Sequence, residues 1–443
     1  MPTFRSLLFG GALSFAAPSG VLVVLVWAIT VSFPMDPSGK DAALALTLLG
    51  LSATIPTLAS ALFSGTIADR FDRRQTMLAV NAMGILSVLL MVAVLYAHPD
   101  GSVGVPEARG FTLPEWIVLL YPLWAVLTVS SALFRPAFNA SLPRVLPVRD
   151  LGTGNGLIYS VAVVASVAAS VGASALVETE SAWLALVISL ALLVATQVAI
   201  RTVRARLDPD RTGPARRFLA QAAEGYRYLW KRKELLEITL GALAINFLNA
   251  LAFVELGVYV RDWLGIGQAV IYGTMVAGSS LGVAVGALYV ARLRFEPRAG
   301  PLVILCAFGM GLAVLALGLV RTVWIAMPAI FVFGIFPGML TTVLFAALQA
   351  TVPNELLGRV MAADEVGSYA LVPAGQYAGG LVTLSAGIQV TYLAAGAGTL
   401  LVGLVLSLFK QLRNFGFEPE PEPPIPPPPS PMTETTVEPS PLG

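Results

Sequence analysis

The sequence predicts an all-α membrane protein: twelve transmembrane helices in two six-helix, pseudo-symmetric halves. Three observations lead there. Only 12% of the residues are charged against 56% hydrophobic, with a mean hydropathy of +0.80, whereas a soluble domain carries about 25% charged residues. The apolar residues collect in runs of about 20, the length a helix needs to cross a hydrocarbon core of about 30 Å. The cations alternate sides: 23 of the 27 Lys and Arg fall near the termini or in even-numbered gaps between runs. Such residues are retained on the cytoplasmic face, so both termini are expected inside a cell membrane.

The first run, residues 7–33, is longer than a signal-peptide core and has no small-residue cleavage site before Pro34, so it reads as a retained span. Runs two to six cover 42–64, 77–97, 116–133, 157–177 and 182–200. Arg70, Arg73 and Arg74 separate the second from the third; Arg135, Arg144 and Arg149 separate the fourth from the fifth. Between the halves lies the polar stretch 201–234, with ten cations. Within it Phe218, Ala222, Tyr226, Leu229 and Trp230 recur at helical spacing, which predicts a basic amphipathic helix on the inner leaflet. Runs seven to twelve cover 235–259, 270–290, 302–320, 323–348, 366–384 and 388–409. Beyond Arg413, the 11 Pro and 5 Glu of 418–443 predict a disordered or polyproline-like tail.

The expected organisation is thus an N-terminal bundle (1–200), a linker (201–234), a C-terminal bundle (235–413) and a cytoplasmic tail (414–443). Internal similarity supports a duplication. Pro147, Leu151 and Gly152, after the fourth run, align with Pro353, Leu357 and Gly358 after the tenth.

Several functions are disfavoured at once. A net charge of +1 offers no field for nucleic acid. The lone His98 sits in a turn sequence, without a second ligand at metal-site spacing, and neither metal nor cofactor is expected. Cys306 reads as a small core residue. No phosphate-cradling G-x-x-x-x-G-K-[ST] loop occurs, and no nucleophile and base share membrane depth, so the chain is not expected to be an enzyme. Gly278, Gly282 and Gly286 recur every four residues, a spacing suited to close helix packing. Trp116, Tyr121, Trp263 and Trp324 fit interfacial belts.

Coupled transport needs a titratable group whose exposure alternates between the two sides. The first six runs hold no such group in an apolar interior. In the seventh, Glu255 is the clear candidate for coupling or substrate binding, with Asn246 and Asn249 three residues apart and able to face one cavity. The alternative for Glu255 is an ion pair with Arg261 at an outer gate.

The most specific motif is Gly65-Thr66-Ile67-Ala68-Asp69-Arg70-Phe71-Asp72-Arg73-Arg74. It resembles the G-x-x-x-D-R-x-x-R-R loop of the major facilitator superfamily. Phe4-Arg5, the segment from Leu146 to Gly152, Glu224-Gly225-Tyr226-Arg227-Tyr228-Leu229, Val352-Pro353 and Gly358-Arg359-Val360 resemble the branch that contains macrolide efflux proteins and enterobactin exporters. The likeness implies a cytoplasmic gate of Gly65, Asp69, Arg70, Arg73 and Arg74, with Asp69 facing Arg359, Asp364 and Glu365 and Arg73 pairing within its own half. It further implies a monomeric secondary transporter, driven by protons and exporting small hydrophobic or amphipathic molecules. Siderophore export, nutrient uptake and a non-transporting sensor of the same fold are the alternatives. Two departures stand out: Ala17-Pro18-Ser19-Gly20 replaces an acid common in the first helix, and the fifth run lacks the Gly-Pro signature of antiporters.

Overall fold

The computed structural model describes residues 2–33, 40–98, 115–146, 151–179, 182–203, 218–292 and 299–415, and these form helices and their connections without a strand. In chain order the helices are α1 (Pro2–Val31), α2 (Lys40–Arg70), α3 (Arg73–Ala97), α4 (Glu115–Ser141), α5 (Leu151–Glu178), α6 (Ala182–Arg201), α7 (Phe218–Lys231), α8 (Lys233–Phe253), α9 (Leu256–Val258), α10 (Ala269–Arg292), α11 (Ala299–Leu319), α12 (Val323–Thr351), α13 (Asn354–Tyr369), α14 (Val372–Ala386), α15 (Ile388–Leu408) and α16 (Lys410–Asn414). Eleven of them are long and apolar enough to cross a membrane.

The twelfth span is a broken one. Pro373 lies in the first turn of α14 and has no N–H to donate to the carbonyl four residues back. The helix therefore stops at Tyr369 and restarts at Val372, so the eleventh apolar run straddles a break between α13 and α14. The seventh span is interrupted too. It leaves α-helical geometry at Val254 and Glu255, resumes for the one turn of α9, and continues through a wider π-helical turn, Tyr259–Trp263. Two boundaries also move. The glycine-to-arginine motif continues the helix of α2 as far as Arg70, and α4 runs on to Ser141, which places Arg135 inside a helix rather than in a loop.

Within the first six spans, α1 packs on α5 and α6, α3 on α4 and α6, and α2 on α4. Among the later spans, α8 packs on α14 and α15, α11 on α12 and α15, and α10 on α12. The α10 and α12 backbones come unusually close, because a Cβ at Gly282 or Gly286 would collide with the Phe331 or Ile335 carbonyl. Gly278 is different: its Cβ would stand 3.9 Å from Ile330, in ordinary contact.

The two halves meet chiefly through α2 with α14 and α5 with α10, and α1 touches α9 and α10. The described hydrogen bonds between the halves, from Arg261, Glu178, Thr47 and Thr54, lie toward the end that carries Phe33 and Trp263, the sealed end. Toward the other end, where Arg73, Arg74, Arg201 and Arg359 lie, α2 touches α13 only slightly among the described residues. The linker helix α7 lies along α13 at this arginine-rich end.

Candidate functional site

At the break after α8, Glu255 is driven inward between the halves and is 0% exposed. Its Oε1 accepts a hydrogen bond from Thr47 Oγ1 of α2 at 3.2 Å, and its Oε2 has no hydrogen-bond partner among the described residues. Gly380 of α14 allows this approach, since a Cβ there would strike the Thr47 hydroxyl. Two buried tyrosines back the site. Tyr259 and Tyr392 pack with ring centroids 4.6 Å apart; Tyr259 donates to the Leu317 carbonyl at 2.9 Å, while the Tyr392 hydroxyl has no partner among the described residues. A second cross-half hydrogen bond, Thr54 Oγ1 to Gln376 Oε1 at 2.7 Å, lies further along the α2 and α14 seam.

Arg261 does not pair with Glu255. Its guanidinium, only 4% exposed, turns to α1 instead, donating to the Thr30 carbonyl and, at 2.8 Å, to the Phe33 carbonyl. Asp262 grips the same group through two hydrogen bonds of 2.5 and 2.8 Å. The cation thereby answers the unsatisfied carbonyls and negative dipole end of α1. A reciprocal contact joins the halves nearby, where Glu178 Oε2, at the end of α5, accepts from the Ala269 N–H that opens α10 at 2.7 Å. Close apolar packing completes the seal. Trp27 stacks with Tyr272 at 6.3 Å, and a Cβ on Gly273 would collide with Ser174 of α5.

Asn246 and Asn249 do not join Glu255. Asn246 Nδ2 donates to the Ser368 carbonyl of α13 at 3.0 Å, and Asn249 Oδ1 is buried without a partner among the described residues. Asp364 forms a separate buried pair, accepting from Thr239 of α8 at 2.5 Å. Both Asn246 and Asp364 thus tie α8 to α13 within one half.

At the arginine-rich end, the side chains of Gly65, Asp69 and Arg70 lie outside the described residues. Arg73 donates to the Ala140 carbonyl at the end of α4 (2.8 Å), and Arg74 to the Ile200 and Arg201 carbonyls at the end of α6 (3.4 and 2.5 Å). These cap helix C-termini within their own half. Arg359 pairs with Glu224 of α7 at 2.5 Å, and Glu365 is exposed.

Sequence reasoning missed Thr47, Glu178 and Tyr392, whose residue types carry no signal without a partner. It also missed Arg135. Exposed on α4, this cation lies within electrostatic range of Tyr159 on α5 and of Tyr369 on α13 of the other half. Among the belt aromatics only Trp324 is well exposed. Trp116 is buried, and Trp263 is buried with its indole N–H on the Val320 carbonyl (2.8 Å) and the Arg321 guanidinium 3.9 Å from the ring centre.

A family model described as transmembrane secretion effector matches residues 15–438. The multidrug efflux pump Tap of Mycobacterium tuberculosis is 23% identical over 401 residues, covering 88% of this chain and 91% of the relative. The pump of the same name from Mycolicibacterium fortuitum is 22% identical over 424 residues, covering 92% and 96%. The uncharacterised MFS-type transporter YfiS of Bacillus subtilis is 22% identical over 406 residues, covering 88% and 89%. Among solved structures, the nucleoside transporter NupG overlays with a TM-score of 0.70 at 10% identity (91% of this chain, 99% of that one). A D-xylose-proton symporter overlays at 0.63 and 15% (92% and 96%). These overlays establish the shared fold.

Proposed function

The chain belongs to the transmembrane secretion effector family of major facilitator transporters, and from that premise we propose that it is a proton-coupled exporter of small hydrophobic or amphipathic compounds. One observation carries the reading: the described polar contacts between the halves gather at one end, with a buried carboxyl at this join whose one hydrogen bond among the described residues crosses between them. The names of the two mycobacterial pumps support the substrate class. The cation distribution supports a cytoplasmic arginine-rich end, and with it an inward-open state.

The chemistry of the join explains why a proton would be linked to movement. Burying a carboxylate costs several kcal/mol, while one hydrogen bond to a charged group contributes about 1.5–3 kcal/mol. The Thr47 hydroxyl therefore does not offset the burial, and the neutral acid suits the sealed interface. Opening that interface lets water reach Glu255 and stabilises the carboxylate. A proton taken up from outside thus favours resealing, and its loss favours the outward-open form; an external acid load biases the alternation. Substrate would enter the arginine-rich end from the cytoplasm, past Arg135, Tyr159 and Tyr369.

Purified protein in liposomes tests the reading. With an imposed pH gradient, dyes such as ethidium should move against their concentration gradient, and collapse of the pH gradient should stop them. Failure of every compound in a broad amphipathic panel to move, with the gradient intact, would overturn it.

A further inference from the structure

The linker helix α7 has two faces with different tasks. One is docked: Leu229 is buried with Leu348, Val352, Val360 and Ala363, and Tyr228 donates to the Thr351 carbonyl at 3.0 Å. Gly225 lies so close to α13 that a Cβ would collide with the Arg359 carbonyl, and Glu224 pairs with Arg359. The opposite face is open. Tyr226 and Trp230, one turn apart, are 41% and 75% exposed. Arg227 and Lys231, also one turn apart, are exposed beside them, followed by Arg232 and Lys233.

The composition of the open face selects its occupant. Its single described acid neighbour is Glu234, 3.5 Å from Arg232, while Glu224 points to the docked side. Aromatic rings next to a row of cations, directly before a transmembrane helix, suit the level of lipid headgroups, and the surplus of positive charge suits anionic ones. We infer that α7 is a strap whose Tyr226, Trp230, Arg227 and Lys231 face binds the surface of an anionic phospholipid leaflet and, through Glu224 and Leu229, holds α13 to that surface. Because α13 is the separate half of a broken span, lipid charge gains a hold on the arginine-rich end of the transporter.

Hydrogen exchange on the full-length protein tests this without a substrate, in nanodiscs of phosphatidylcholine alone and with one third phosphatidylglycerol. The anionic lipid should slow exchange over residues 224–231 and over the first two turns of α13. Replacing Arg227→Gln and Lys231→Gln together should remove most of that protection, about fivefold for each cation, whereas Arg227→Lys with Lys231→Arg should keep it. Glu224→Gln should keep the lipid effect on α7 and lose it on α13. Raising NaCl from 50 to 500 mM should weaken the lipid effect, and millimolar glycerol phosphate in phosphatidylcholine discs should not reproduce it. Equal exchange in the two lipids, or reproduction by the soluble phosphate, would overturn the assignment to a membrane surface. Lipid protection of α7 that never reaches α13 would overturn the strap.

Discussion

The two ends of the molecule use polar side chains in opposite ways. At the sealed end they reach across: Arg261 to α1, Glu178 to the start of α10, Thr47 to Glu255 and Thr54 to Gln376. At the arginine-rich end, Arg73 on α4, Arg74 on α6 and Arg359 on the linker helix stay at home among the described residues. Charge density therefore does not mark the contact that holds the halves together. Where a charge finds its complement does, and here the helix ends supply it, as bare carbonyls for Arg261 and a bare N–H for Glu178.

The contrast is sharpest in the two buried acids. Glu255 and Asp364 each take one threonine hydroxyl, but Thr47 belongs to the opposite half and Thr239 to the same one. Parting the sealed end dismantles the first pair and leaves the second whole. Glu255→Gln, which keeps the shape and fixes a neutral group, should lower gradient-driven transport about 100-fold or more, with dye binding kept within a few-fold. Asp364→Asn should spare the gradient dependence. Proteoliposome flux with and without a pH gradient checks both, and a Glu255→Gln protein with unaltered driven flux removes this carboxyl from coupling.

Next in size is the guanidinium latch. Arg261→Met removes its charge-assisted bonds to α1, each worth about 1.5–3 kcal/mol, and should move the ratio of sealed to open forms at that end at least about tenfold. Spin labels at Val31→Cys and Gln268→Cys, in a Cys306→Ala background, would report a longer distance population. Glu178→Gln keeps an acceptor for the Ala269 N–H but loses the charge, so it should shift the same distances less. Gly273→Val tests the steric side of the seam. Overpacking there costs about 1–3 kcal/mol and should also open the sealed end, without removing the Arg261, Glu178 or Thr47 contacts that cross the seam.

Much of this was legible in the sequence, and the rest hid for identifiable reasons. Length and apolarity mark twelve runs, eleven of which carry a helix long enough to span, and Pro373 explains why the remaining one is in two pieces. Glu255 stands out because an isolated acid in an apolar run is rare. Its partner Thr47, 208 positions away, is one of many threonines in apolar runs, and nothing local distinguishes it. Ending the fourth run at its first charge hid Arg135, which α4 carries past Leu133 as an ordinary helical residue. Arg359 pairs with Glu224, an acid that the basic composition of the linker obscures, while the side chain of Asp69, which the family likeness sets opposite Arg359, lies outside the described residues. Pattern reveals burial, whereas pairing across halves depends on which helices meet and at which end.

The smallest effect puts the contrast between the ends at most risk. Arg74 caps the end of α6 from α3, both in the first half, and a cation near a helix C-terminus contributes about 0.3–1 kcal/mol. Arg74→Gln should therefore lower the melting temperature by only about 1–3 °C. More pointedly, it should leave the Val31 and Gln268 label distances where they are, because no half-to-half contact is lost. The same holds for Arg73→Gln and its bond to Ala140. If either substitution instead shifts the distances as far as Arg261→Met does, these arginines act on the other state of the cycle, where they would bind across the halves after the sealed end has opened. Both ends would then be held by cross-half polar contacts, each in its own turn, and the asymmetry seen here would belong to one conformation rather than to the protein.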